Sequence, residues 1–200
     1  MKTLVLIAAL LAGLLTGLLA GPVRADVAGF ENDYRALFTS HAGRVQQPAP
    51  GMRVLEMPGP VIIYEDTASD GTRHYRAEDH SGRGAAGCMF DALIDATVIA
   101  GLCPDMLDAT SSAQLDAMTR AMARFVAANA APPLPVRAVE PRLRSVVRER
   151  AARIRVRCPA PVSGVQDNRA RLQAMLRPGG IGALKRALAM PRLPVMQPCD

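Results

Sequence analysis

The chain has 200 residues, half of them hydrophobic but only 4% aromatic, and a formal net charge of +6 at pH 7. Tryptophan is absent, so the core must be built from aliphatic side chains and methionine, a composition that suits packed helices. After residue 25 no stretch is long and apolar enough to span a bilayer, which excludes a polytopic membrane protein.

The first 25 residues have the organisation of a secretory signal peptide. Residues 4–15 are almost purely aliphatic, and residues 23–25, with the sequence VRA, are typical of a cleavage site. An uncleaved membrane anchor is the alternative, but the apolar run is near the lower limit for a span, which needs about 20 residues. We therefore expect cleavage after Ala25 and one mature domain over residues 26–200, exported to the periplasm or secreted.

In the first third of the mature chain, the patterns predict one helix and a small sheet. Aromatic residues recur at helical spacing over residues 27–42, which predicts an amphipathic helix. A Pro-rich linker follows at residues 46–51. Segments with β-branched residues, separated by turn signals, then predict an antiparallel β-meander. Its strands are expected at residues 52–56, 61–64 and 72–77.

From residue 87 onward the hydrophobic pattern becomes helical. The first helix is apolar nearly all round, which indicates a buried central helix. Ser111 and Gln114 form a capping-box pattern for the second helix, and Glu140-Pro141 is a typical start for the third, which is rich in arginine. The five helices are expected at residues 88–102, 111–130, 142–157, 165–177 and 181–190.

These elements predict an α+β fold that is mostly helical: a small antiparallel β-meander followed by a cluster of four to five helices, stapled by disulfides. Within the single mature domain, residues 26–87 hold the N-terminal helix and the meander. Residues 88–190 form the helical part, and residues 191–200 form a Pro-rich tail.

Four cysteines remain in the mature chain, and an even count in an exported protein predicts two disulfides. Cys88 and Cys103 flank the central helix, which would be about 20 Å long, whereas bonded cysteines have Cα atoms about 4.4–6.8 Å apart. If the central and arginine-rich helices run parallel, their C-terminal ends bring Cys103 to Cys158, which leaves Cys88 for Cys199. No CxxC spacing occurs, and we expect neither a metal site nor a cofactor.

The charges are distributed unevenly along the mature chain. Residues 26–119 carry 6 basic and 14 acidic side chains, whereas residues 120–200 carry 16 basic and 4 acidic ones. Two interpretations follow. The two halves lie against each other and neutralise part of this charge, or the second half presents a basic face to an anionic partner.

The arginine-rich helix is the main candidate for such a face. Arg144, Arg148 and Arg155 lie away from its apolar stripe and are the predicted anion-binding residues. No aromatic residue interleaves with the arginines, so nucleic acid is not the favoured partner. The favoured function is therefore a non-catalytic exported protein that binds another protein or an anionic component of the envelope.

A small periplasmic hydrolase is the alternative. His80 would be a general base with Asp79 or Asp91 as the accompanying carboxylate, which requires that the two groups meet in a cleft. A solvated strand-to-loop junction is the favoured explanation of the cluster around His80. Asp91 and Asp95 share one side of the central helix, where they are either exposed or in contact with arginines of the basic half.

Overall fold

The structure is a computed structural model that describes residues 24–155, 158 and 163–199, apart from the side chains of residues 24–26 and 163–169. Most of the expected signal peptide therefore lies outside the described residues. Its last two positions, Arg24 and Ala25, belong to the first strand, so cleavage after Ala25 would remove half of that strand.

The described chain contains six strands, six α-helices and two short 3₁₀ helices. The strands are β1 (Arg24–Val27), β2 (Phe30–Asp33), β3 (Gln46–Ala49), β4 (Met52–Met57), β5 (Val61–Thr67) and β6 (Arg73–Asp79). The α-helices are α1 (Tyr34–Ser40), α2 (Ala86–Leu102), α3 (Ala109–Asn129), α4 (Val136–Arg153), α5 (Ser163–Leu176) and α6 (Pro178–Leu188). The 3₁₀ helices are Ala42–Arg44 and Pro104–Met106. An antiparallel sheet followed by five helices confirms the predicted fold class.

The helix predicted over residues 27–42 is wrong in its first half. There β1 and β2 form an antiparallel hairpin, with Ala28 and Gly29 at φ of 45° and 81° in the connecting turn. Positive φ at both central residues matches the twist of a two-residue hairpin. A Cβ at Gly29 would lie only 2.5 Å from Val146 Cγ2, so the hairpin packs closely against α4.

The remaining helix, α1, begins where Asp33 caps it. The Asp33 carboxylate accepts a hydrogen bond from the Ala36 N–H at 2.9 Å. The helical spacing of the aromatic residues was misleading, because these residues pack into two different hydrophobic cores. Phe30 packs edge to face against Phe90 of α2, whereas Tyr34 lies against the sheet.

The four-stranded sheet has the order β3-β4-β5-β6, and all its pairs are antiparallel. The three predicted strands are present and longer than expected. The Pro-rich linker, however, supplies the edge strand β3, which pairs with β4 through a shifted register. Along β5 every second residue is buried, so one face of the sheet points inward.

Two hydrophobic cores result from this arrangement. The helical core is formed mainly by α2, α3, α4 and α6, and α2 packs against both α3 and α4 as expected of a central helix. The sheet core lies between the inner face of the sheet, α1 and the end of the chain. Its fully buried members include Phe38, Leu55, Ile63 and Val195.

The C-terminal segment, residues 191–199, crosses between the two cores, and we call it the strap. Its Gln197 carbonyl accepts a hydrogen bond from the Asp79 N–H at 2.7 Å, and its Val195 carbonyl accepts one from the Gly87 N–H at 2.9 Å. The buried Asn32 side chain donates to Pro194 O at 2.7 Å. The strap therefore ties β6, α2 and the hairpin together.

Two disulfides link distant parts of the chain, and one of them anchors the strap. Cys88 at the start of α2 is bonded to Cys199 of the strap, and Cys103 after α2 is bonded to Cys158, each with a Cα–Cα distance of 5.6 Å. These are the pairs preferred from the sequence. Each bond joins segments far apart in the chain, so the predicted stapling of the fold is confirmed.

The cap of α3 also differs from the expectation. Asp108, not Ser111, is its N-cap, and the Asp108 carboxylate accepts from the Ser111 N–H at 2.7 Å. These bonds lower the pKa of the Asp108 carboxyl, because they stabilise its charged form.

Candidate functional site

The arginine-rich helix begins earlier than its sequence suggested. Pro135 is the N-cap of α4, and Pro141, the expected start, lies inside the helix with its ring exposed. Arg137, four residues before Pro141, is therefore part of the same helix. This arginine was missed because proline inside a helix normally disfavours the preceding turn.

Three arginines form a line along α4, and we call Arg137, Arg144 and Arg148 the arginine ridge. Their spacings of seven and four residues place them within about 20° of one line on a helix with 3.6 residues per turn. The ridge is about 16 Å long at a rise of 1.5 Å per residue. All three side chains are exposed.

The opposite side of α4 fixes the orientation of the ridge. Val139, Leu143 and Val146 are 3%, 6% and 7% exposed and belong to the helical core. Because these residues lie on the far side of the helix axis, the ridge points outward into solvent.

The ridge arginines have no hydrogen bond or ion pair with any other described residue. Two other arginines of the helices are paired, Arg120 with Asp116 and Arg153 with Glu149 at 3.7 Å. The ridge arginines therefore have no direct carboxylate partner in the described part of the protein.

Arg155, the third predicted anion-binding residue, is exposed but lies two residues beyond the end of α4. The structure thus places Arg144 and Arg148 on one line and leaves Arg155 outside the helix. Arg137 takes the third position of the line instead.

Arg150 has the neutralising role that was the competing interpretation of the basic half. It bridges Asp91 and Asp95 of α2, bonding Asp95 Oδ1 at 2.8 Å. Burial raises the pKa of the Asp95 carboxyl; Arg150 opposes the shift and Asp91 adds to it. Burial alone would lower the pKa of Arg150, but its bonds to Asp91 and Asp95 raise it. Asp91 is thus engaged with an arginine.

His80, the centre of the hydrolase alternative, lies beside a different carboxylate. Its Nε2 is 3.2 Å from Glu78 Oε2, and the His80 side chain is 48% exposed. No described contact joins His80 to Asp79 or to Asp91. Asp79 and His80 nevertheless line one surface pocket together with Glu78 and the end of the strap, and the hydrolase alternative stays a prediction.

Asp79 points inward and is paired with Arg192 of the strap. The Arg192 Nε donates to Asp79 Oδ2 at 2.5 Å, and both side chains are fully buried. Arg192 also donates to the carbonyls of Ala187 and Gly84, each at 2.7 Å. This network holds the strap in place. Sequence reasoning missed it because nothing local distinguishes Arg192 from the exposed arginines.

Glu65 is a second buried charge that sequence reasoning missed. It is 1% exposed and accepts hydrogen bonds from Arg53 Nη1 at 2.8 Å and from the Tyr75 hydroxyl at 2.7 Å. The alternation along β5 was the available signal, since Glu65 follows Val61 and Ile63 at a spacing of two.

Within the described residues no three His, Cys, Asp or Glu side chains are grouped closely enough to hold a metal ion. The described helices also include none with the length and hydropathy needed to cross a membrane. Comparison with protein-family models, with curated proteins and with solved structures found no match. The ridge and its surroundings must therefore be interpreted from their own chemistry.

Proposed function

We propose that this is an exported, non-catalytic protein that binds an anionic partner of the bacterial envelope through the arginine ridge. The observation that supports the proposal is the alignment of Arg137, Arg144 and Arg148, all exposed and without a described carboxylate partner. Guanidinium groups bind phosphate and carboxylate with directed hydrogen bonds, so a line of them suits an extended or multivalent anion.

Two further observations support this proposal. Arg150 already bridges Asp91 and Asp95, so the ridge is not required to neutralise these acidic residues of α2. The two disulfides are typical of proteins in oxidising compartments, which agrees with a location in the periplasm or outside the cell.

Binding to heparin at several salt concentrations tests the proposal. The triple variant Arg137→Ala, Arg144→Ala, Arg148→Ala should bind heparin at least tenfold more weakly than the parent. The slope of log affinity against log salt concentration should fall by roughly one for each arginine that contacts the polymer.

The matched control removes the same charge elsewhere. Arg124, Arg142 and Arg177 are exposed and lie off the ridge, and Arg142 belongs to the same helix. The triple alanine variant at these positions should retain most of the affinity. Equal losses in the two variants would show that net charge alone is responsible, and weak, salt-insensitive binding by the parent would end the proposal.

A further inference from the structure

An apolar groove opens on the surface between α1, the β4–β5 turn, the connector between α3 and α4, and the strap. Its volume is about 630 Å³, within the roughly 300–1,000 Å³ of typical ligand pockets. Ten of its fourteen lining residues are apolar, among them Leu37, Met57, Leu193 and the prolines of the connector.

The polar residues of the groove are already engaged within the protein. The four are Asp33, Ser40, Asn129 and Arg192, which bond respectively with Ala36 N, Leu37 O, Phe125 O and the Asp79 carboxylate. The groove therefore offers apolar contact area but few uncommitted polar groups, which suits a hydrocarbon chain better than a sugar or a charged group.

One end of the groove lining is close to the arginine ridge along the chain. Pro133 lines the groove and precedes Arg137 by four residues, so their Cα atoms are at most about 14 Å apart. Between them Val136 is 81% exposed and adds apolar surface. The apolar groove and the first arginine of the ridge are thus close enough for one ligand to contact both.

We propose that the groove and the ridge form one site for a single-chain lipid with a phosphate head. The hydrocarbon chain lies in the groove, and the phosphate contacts Arg137 and Arg144. The inference rests on the proposed function and names the class of its anionic ligand. Each methylene group buried in the groove should raise the affinity about fourfold. A lipid that occupies the groove should therefore bind more tightly than an anion that contacts the ridge alone.

Decyl phosphate below its micellar concentration is a suitable probe, with hexyl phosphate, inorganic phosphate and uncharged decyl maltoside as comparisons. The affinity should rise from inorganic phosphate through hexyl phosphate to decyl phosphate. The affinity for decyl maltoside should be at least tenfold lower than that for decyl phosphate. The ridge triple variant should lose at least tenfold in affinity for decyl phosphate.

Two tryptophan variants on α1 separate the groove from the ridge. Ala36 is exposed and lines the groove, so Ala36→Trp should fill it and lower the affinity for decyl phosphate at least tenfold without changing heparin binding. Thr39 is exposed on the same helix outside the groove, and Thr39→Trp should change neither affinity.

Unchanged binding of decyl phosphate by Ala36→Trp would overturn this inference. Ridge-dependent heparin binding without any binding of decyl phosphate would also overturn it, while leaving the proposed function intact. If the parent protein binds neither heparin nor decyl phosphate, both the proposed function and this inference are overturned. Binding to phosphatidylglycerol vesicles but not to monomeric decyl phosphate would indicate a membrane surface instead and would likewise contradict a groove site.

Discussion

The strap and the arginine ridge use the same side chain in opposite ways. Arg192 of the strap is fully buried, and its guanidinium donates to the Asp79 carboxylate and to carbonyls of α6 and of the loop before α2. Arg148 of the ridge is exposed and bonds to no other described residue. The first arginine therefore holds the fold together, and the second is available to a partner.

The energetic consequences of the two environments differ as well. Removing one member of a buried ion pair leaves the other charge desolvated and unpaired, which is strongly destabilising. Removing an exposed, unpaired charge changes stability little. Stability measurements can therefore separate structural arginines from those available for binding.

The largest effect is expected for Arg192→Ala, which should lower the free energy of unfolding by about 3–5 kcal/mol because Asp79 remains buried without its partner. Arg148→Ala, the exposed control, should stay within about 0.5 kcal/mol of the parent. Denaturant unfolding of both variants measures the difference. Similar unfolding midpoints for the two would contradict the contrast between strap and ridge.

The disulfide that anchors the strap should have the next largest effect. Replacing Cys88 and Cys199 together by serine should cost about 2–4 kcal/mol. The disulfide between Cys103 and Cys158 closes a shorter loop, 55 residues rather than 111. In a chain-entropy account, replacing both of these cysteines by serine should therefore lower the free energy of unfolding by roughly 0.6 kcal/mol less.

Non-reducing peptide mapping of the parent checks the pairing itself. It should recover one peptide pair containing Cys88 and Cys199 and another containing Cys103 and Cys158. A pair linking Cys88 to Cys103 would be incompatible with an intact α2.

A titration at high pH extends the comparison to a buried group of the sheet core. Burial raises the pKa of Tyr34 to about 12 from its ordinary value near 10, although a hydrogen bond with Asn32 opposes the shift. The folded state therefore favours the neutral form of Tyr34. The contribution of this group to the free energy of unfolding is complete below pH 10 and is lost as the pH rises from 10 to 12. That loss amounts to about 2–3 kcal/mol.

The variant Tyr34→Phe should lack this part of the alkaline destabilisation. Tyr64→Phe changes a half-buried tyrosine on the outer face of the sheet and serves as the control. Free energies of unfolding at pH 8–12 measure the effect. Parallel pH profiles for the parent and Tyr34→Phe would show that Tyr34 titrates normally.

The smallest effect is expected for the ridge. The triple alanine variant that weakens heparin binding should stay within about 0.5 kcal/mol of the parent in stability. Arg150→Ala should cost about 1 kcal/mol, since its ion pairs with Asp91 and Asp95 are only partly buried. A ridge variant as destabilised as Arg150→Ala would indicate that the ridge, too, neutralises the acidic half.

The elements that followed from the sequence are those with a strong local pattern. The alternation in β4, β5 and β6 and the apolar run of α2 predicted these elements within a few residues. The even count of cysteines predicted two disulfides, and the length of α2 excluded the pair Cys88–Cys103. The assumption that the central and arginine-rich helices run parallel then selected the observed pairs. The exposed position of Arg144 and Arg148 also followed from the sequence, because helical periodicity places them away from the apolar stripe.

Only the tertiary structure decided the rest, because the deciding interactions join residues distant in the chain. The hairpin of β1 and β2 replaces a predicted helix where its turn packs against Val146, and α4 includes Pro141 although proline disfavours helix. The choice between a buried Arg192 and an exposed Arg148 depends on whether a distant carboxylate such as Asp79 lies within reach. The sequence alone determined how many charges the chain carries, but the fold determined which of them remain available to a ligand.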